Sequence, residues 1–87
     1  MSNVDLDDIF NRVRKILSKM VKLKESAVTL ESHLRDDLGV DSVDILDIIA
    51  KMEEEFGIHI DENDAREVGT VQHIVSLVKD KTRTAKR

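Results

Sequence analysis

The stretch DSVDILDIIAKMEEEFG, residues 41–57, predicts a helix with both of its ends marked. Asp41 is a favourable N-cap residue, and Asp44 places a negative charge in the first turn, where the helix dipole favours it. Gly57 readily adopts the left-handed conformation that ends many helices. We therefore expect a helix from about Ser42 to Phe56.

This helix has two apolar faces when each residue is advanced by about 100° around the axis. The wider face, predicted to point into a core, consists of Ile45, Ile48, Ile49, Met52 and Phe56. The second strip consists of Val43, Leu46 and Ala50, with Asp47, Glu53 and Glu54 beside it and Ser42 at its end. This strip either widens the buried face against the preceding loop or forms an exposed patch rimmed by carboxylates. An exposed patch of this kind suits a partner with an apolar pocket and a basic rim.

Apolar residues at helical spacing predict two further long helices on either side of this one. The first covers about residues 4–20, with Asn3 as its cap, and the last begins after Thr70. A brief helix is expected near residues 62–68, and residues 21–41 are predicted to form a long loop attached to the core. The expected fold is all-α, a small four-helix bundle of three main helices and one short helix. We expect residues 1–80 to form this domain and the basic residues 81–87 to be disordered.

Composition excludes several classes of protein. The 87 residues include no cysteine, so neither a disulfide framework nor a thiolate metal site is available. No apolar run approaches the length of a membrane span or of a signal peptide, and we expect a cytoplasmic protein without membrane insertion. The net charge of −4 is unevenly distributed, because residues 31–67 alone carry a net charge of −10. This acidic block repels nucleic acid and favours a basic protein partner.

Catalytic and metal sites find little support around Ser42. The G-x-S-x-G pattern of a serine hydrolase is absent, and His33, His59 and His73 are distant in sequence, although folding could bring one close. Each histidine is better explained as a surface or half-buried residue than as a base or a metal ligand. A calcium loop starting at Asp61 fails, because Ala65 and Arg66 occupy positions that need an oxygen ligand and glycine. The remaining interpretation is that the Ser42 hydroxyl is an attachment point, with positive charge supplied by the modifying enzyme.

The segment DDLGVDSVDILDIIAKMEEEFGIHIDENDA, residues 36–65, resembles the acyl carrier protein family. The resemblance rests on Leu38-Gly39, on Asp41-Ser42 and on the run from Glu54 to Ile58, and it extends more weakly over residues 4–80. It implies a non-catalytic carrier with 4′-phosphopantetheine attached to Ser42 by a carrier protein synthase, a phosphopantetheinyl transferase that uses coenzyme A. The arm would hold acyl intermediates as thioesters for fatty acid, polyketide or specialised lipid biosynthesis.

The resemblance also implies roles for other residues. A recognition face for acyl-processing enzymes with basic docking patches would consist of Asp41, Val43, Asp44, Leu46, Asp47, Ala50, Glu53 and Glu54. A cavity that shelters the acyl chain would be lined by Ile48, Ile49, Met52, Phe56, Ile60, Val68 and Ile74. We expect a monomer without a metal site.

Departures from the family pattern leave two interpretations open, a housekeeping carrier and a specialised carrier dedicated to one pathway or one acyl group. Val43 replaces the usual leucine after the serine, which removes one methylene, worth about 0.8 kcal/mol if fully buried. Ala50 also makes a smaller contact than many family members do. Two alternatives remain at this point: an unmodified interaction module with the carrier fold, and a small hydrolase that uses Ser42.

Overall fold

The computed structural model describes residues 6–85, and the side chains of residues 7–82. Its helices are α1 (Leu6–Val21), α2 (Ser42–Phe56), α3 (Glu62–Arg66) and α4 (Val71–Ala85), and a 3₁₀ turn at Glu25–Ala27 lies between α1 and α2. Within this described part there is no strand, only an isolated bridge between His33 and Thr70. The prediction of an all-α bundle with three main helices, one short helix and a long first loop is confirmed. The predicted cap Asn3 and the first two predicted helical residues lie outside the described range.

The core is aliphatic and is shared by the three long helices, with α1 packed against α4 and α2. Its helical members are Ile9, Val13 and Leu17 of α1, Ile45, Ile48, Ile49 and Met52 of α2, and Val71, Ile74, Val75 and Val78 of α4. Arg12 adds a contact at the surface, donating a 2.7 Å hydrogen bond to Glu55 and covering the ring of Phe56 at 4.5 Å. Since this ion pair is exposed, its contribution to stability is small, about 0–1 kcal/mol.

The loop between α1 and α2 is attached to the start of α4 by backbone hydrogen bonds. Leu34 N–H donates to the Gly69 carbonyl at 2.9 Å, and Val71 N–H donates to the Ser32 carbonyl at 3.0 Å. The loop also contributes Val28, Leu34, Leu38 and Val40 to the core. The long loop is therefore an ordered wall of the bundle, because four of its apolar residues are buried and backbone hydrogen bonds attach it to the start of α4.

The last two helices depart from the expected boundaries. Helix α3 ends at Arg66, two residues early, and Val68 turns inward to become buried. Helix α4 continues to Ala85, so the expectation that residues 81–85 are disordered is corrected, while residues 86–87 lie outside the described range. Lys, Arg and Ala favour helix, and Lys81 forms a 3.2 Å ion pair with Asp64 of α3. The domain boundary at residue 80 remains a prediction.

Candidate functional site

Ser42 is the first residue of α2, and the local sequence fixes it there. The Asp41 carboxylate accepts a 2.9 Å hydrogen bond from the Asp44 N–H group, as predicted for the N-cap. Gly39 has a φ of 69°, which lets the chain turn sharply before the helix, and Val40 is buried beside it. The side chain of Ser42 is exposed at the end of this anchored turn.

Arg35 is the hydrogen-bond partner of the Ser42 side chain. Its guanidinium Nη2 donates to Ser42 Oγ at 2.9 Å. This residue is not among the site residues predicted from the sequence, for which the positive charge at this place comes from the modifying enzyme alone. Arg35 lies in a turn and Ser42 in a helix, so no single helical or strand period relates them, and no sequence pattern signalled that the 34–38 turn would bring the two side chains together.

The histidines have other contacts. Across the described residues no hydrogen bond joins Ser42 to His33, His59 or His73. His33 Nδ1 lies 3.8 Å from the Asp36 carboxylate, and His73 Nδ1 accepts a hydrogen bond from Gly69 N–H. Since Arg35 is a permanent cation, the group that does contact Ser42 is not a general base.

The second apolar strip of α2 is exposed, which decides between the two interpretations of it. Val43 and Leu46 are 67% and 54% exposed, and Ala50 is exposed as well. The exposed carboxylates next to these residues belong to Asp41, Asp44, Asp47 and Glu54. The strip does not widen the buried face, and it forms with Ser42 one continuous apolar and acidic surface.

Glu53 has a structural contact that its predicted recognition role did not include. It is half-buried, and its Oε2 accepts a 2.7 Å hydrogen bond from the Ile60 N–H group. The same oxygen lies 3.3 Å from His59 Nδ1. The carboxylate therefore stabilises the extended link between α2 and α3, whereas its neighbour Glu54 points to solvent and pairs with Lys51 at 3.6 Å.

A cleft of about 490 Å³ lies beside Ser42. Its lining comes from the loop, from α2, from α3 and from the segment after α3: His33, Arg35, Ser42, Ile45, Leu46, Glu62, Ala65, Arg66, Val68 and Gly69. The buried side chains of Ile45, Ala65 and Val68 give the cleft an apolar interior. An exposed hydroxyl, an adjacent cation and an apolar cleft fit a group that is anchored by a phosphate and continues as an organic chain.

The predicted acyl cavity is only partly related to this cleft. Val68 lines it, whereas Ile48 lines a separate cleft of about 260 Å³ with Met20, Val21, Leu38, Gly39 and Asp44. Ile49, Met52, Ile60 and Ile74 are buried in the core, and Phe56 is half-buried. The cavity therefore stays a prediction, and Ile45, which was assigned to the core alone, also borders the cleft.

Between residues 6 and 85 no group of three or more His, Asp or Glu side chains is placed to hold a metal ion. In the same range no helix has the length and apolar character needed to cross a membrane.

Comparisons with known proteins agree with this geometry. Residues 11–78 match the family described as "Phosphopantetheine attachment site". An acyl carrier protein of Thermotoga maritima is 41% identical over 75 residues, which are 86% of this chain and 93% of that protein. An acyl carrier protein of Borrelia garinii is 40% identical over 76 residues, which are 87% of this chain and 95% of the relative. The chain therefore belongs to the acyl carrier protein family, whose members are non-catalytic carriers with covalently attached 4′-phosphopantetheine.

Proposed function

We propose that Ser42 is the attachment residue and that the protein carries acyl intermediates as thioesters on its phosphopantetheine arm. The observation that best supports this proposal is the position of the exposed Ser42 Oγ. It lies at the start of α2, between the cation of Arg35 and an apolar cleft. An attachment residue needs access for another enzyme and does not need its own base. The cleft of about 490 Å³ offers a place where part of the arm or its cargo is shielded from water.

The attachment is carried out by a phosphopantetheinyl transferase, for which this chain is the substrate. The Ser42 oxygen forms a new bond to the phosphorus that bears pantetheine in coenzyme A. The pyrophosphate bond to that phosphorus breaks, adenosine 3′,5′-bisphosphate leaves, and the serine proton passes to a base of the transferase. The products are a phosphodiester on Ser42 and a free thiol at the far end of the arm.

The exposed strip of α2 is proposed to be the docking surface for the transferase and for acyl-processing enzymes. Val43 and Leu46 supply apolar contact area, and the surrounding carboxylates attract a basic rim on the partner. The smaller side chains at positions 43 and 50 favour a partner with a shallower pocket than one built for leucine.

Fatty acid synthesis or a related specialised lipid or polyketide route is the proposed setting. A monomeric state and a cytoplasmic location remain predictions.

Mass spectrometry tests the attachment site. The purified protein is incubated with coenzyme A, Mg²⁺ and a phosphopantetheinyl transferase, and its intact mass is then measured. We expect one phosphopantetheine adduct on the wild type and on the control Ser76→Ala, whose serine is exposed on α4, and none on Ser42→Ala. An adduct on Ser42→Ala would refute the assignment. A wild type that is never modified would instead favour the unmodified interaction module.

Charge reversal tests the docking surface. Asp47→Lys places a positive charge on the exposed strip of α2, whereas Asp8→Lys makes the same change in net charge on α1. For Asp47→Lys we expect a loss in kcat/KM of the transferase that shrinks as salt is added, because exposed charges are screened by salt. Equal losses in kcat/KM for the two variants would show that only net charge matters. The strip of α2 would then not be the docking surface.

A further inference from the structure

Arg35 is a cation held next to the attachment residue by the fold itself. The residue before it, Leu34, is completely buried, and its N–H group donates to the Gly69 carbonyl. On the other side of the turn, the Val40 N–H group donates to the Leu34 carbonyl at 2.8 Å. The backbone of the turn is therefore anchored to the bundle, and the guanidinium lies 2.9 Å from Ser42 Oγ as a consequence.

The charge of Arg35 is not neutralised by an ion pair with a carboxylate within the described residues. The acidic residues nearest in sequence contact other groups. Asp37 accepts a 2.7 Å hydrogen bond from the His33 N–H group, Asp36 lies 3.8 Å from the His33 ring, and Asp41 accepts from Asp44 N–H. The guanidinium keeps free donors next to a serine that is surrounded by negative charge.

We propose that Arg35 binds the phosphodiester through which the arm is joined to Ser42, an inference that rests on the proposed function above. In the modified protein the phosphorus replaces the hydroxyl hydrogen on Oγ. The two unbridged phosphate oxygens then lie only one bond farther out than the phosphorus. A guanidinium already in hydrogen-bond contact with Oγ reaches them by a small side-chain rotation, and its planar fork matches two phosphate oxygens at once.

This contact reduces the electrostatic repulsion that a phosphodiester on Ser42 meets at the site. A phosphodiester on Ser42 brings a negative charge close to Asp41 and Asp44, which repel it. The N–H groups of Ser42 and Val43 in the first turn of α2 offset part of this repulsion. Arg35 supplies a full positive charge from the same chain, so the modified state does not depend on the transferase for its counter-charge. Because Arg35 also lines the cleft, the bound phosphate places the start of the arm at the edge of the cleft.

The test compares the ³¹P NMR signal of four fully loaded proteins: wild type, Arg35→Gln, Arg35→Lys and Arg66→Gln. Arg66 is the matched control, because it lines the same cleft but pairs with Glu62 at 3.7 Å. Loading is driven to completion with excess transferase and checked by intact mass before each spectrum. The spectra are recorded along a NaCl titration.

We expect the phosphodiester signal of the wild type to differ from that of Arg35→Gln by more than the line width. Salt should move the wild-type signal towards the Arg35→Gln position, and Arg35→Lys should restore part of the difference. Arg66→Gln should match the wild type. Identical signals in wild type and Arg35→Gln, or an equal change in Arg66→Gln, would overturn the assignment of Arg35 while leaving Ser42 as the attachment residue. If the wild type accepts no arm at all, the proposed function itself fails.

Discussion

Replacing Asp41 tests how the start of α2 is held, because this residue combines a hydrogen-bond acceptor with a charge. Asp41→Ala removes the acceptor of the Asp44 N–H group, whereas Asp41→Asn keeps an acceptor oxygen and removes only the charge. Loss of an N-cap side chain typically destabilises a protein by about 0.5–2 kcal/mol. Since this cap is exposed, water can solvate the freed N–H group, and we expect a loss of about 1 kcal/mol for Asp41→Ala. In a domain of this size that corresponds to a fall in Tm of about 4–8 °C.

Thermal and urea unfolding at high salt measure this effect, because salt screens the interaction between the Asp41 charge and the helix dipole. Asp41→Asn should then unfold within about 0.5 kcal/mol of the wild type. Asp41→Asn destabilised as strongly as Asp41→Ala would refute the reasoning, because the side-chain oxygen would then not be the source of the stability. The kcat/KM of the transferase, measured on the same proteins, distinguishes a role of Asp41 in recognition from its role in stability. A lower kcat/KM for Asp41→Asn, with no loss of stability, would show that the Asp41 charge contributes to recognition.

Two further pairs of substitutions test the helix end and the core by urea unfolding. Gly57 has a φ of 66° with no atom within 4 Å of an added Cβ, so Gly57→Ala should cost about 1–2 kcal/mol through backbone strain alone. Gly69→Ala, where an added Cβ meets only ordinary contacts, should stay within about 0.5 kcal/mol, and equal losses at both glycines would contradict the argument from φ. Met52 is completely buried, so Met52→Ala should cost about 2–5 kcal/mol, whereas Met20→Ala at a 39% exposed position should cost clearly less. A comparable loss for the two methionines would mean that Met52 does not pack in the core as described.

The sequence allowed the main helix to be predicted to the residue, because both of its ends carry strong local signals. Asp41 forms the expected cap, and Gly57 adopts the left-handed conformation with φ of 66°. The exposure of Val43 and Leu46 could not be decided from periodicity, because a helical strip next to a loop of unknown path is equally compatible with burial. The exposed fractions of 67% for Val43 and 54% for Leu46 show that the loop does not cover the strip.

Features that depend on contacts between distant segments were also missed, because local sequence patterns do not show which segments meet in the fold. The contact of Arg35 with Ser42 depends on the 34–38 turn, and that turn is fixed by a hydrogen bond to Gly69, which is far along the chain. The extension of α4 to Ala85 departs from the prediction because a charged segment without large apolar groups predicts disorder. The ion pair between Lys81 and Asp64 is invisible to that criterion.

The hydrogen bonds between the loop and the start of α4 have a consequence for the order in which this protein can be assembled. Residues 32 and 34 are hydrogen-bonded to residues 71 and 69, so the turn that carries Arg35 is anchored only when this later segment has docked. Bringing together two segments that are distant along the chain costs conformational entropy, and contacts of this kind slow folding. A chain that ended before Gly69 would have the Asp41 cap and the serine but not these hydrogen bonds to the turn that carries Arg35. Completion of the attachment site is thus coupled to completion of the fold.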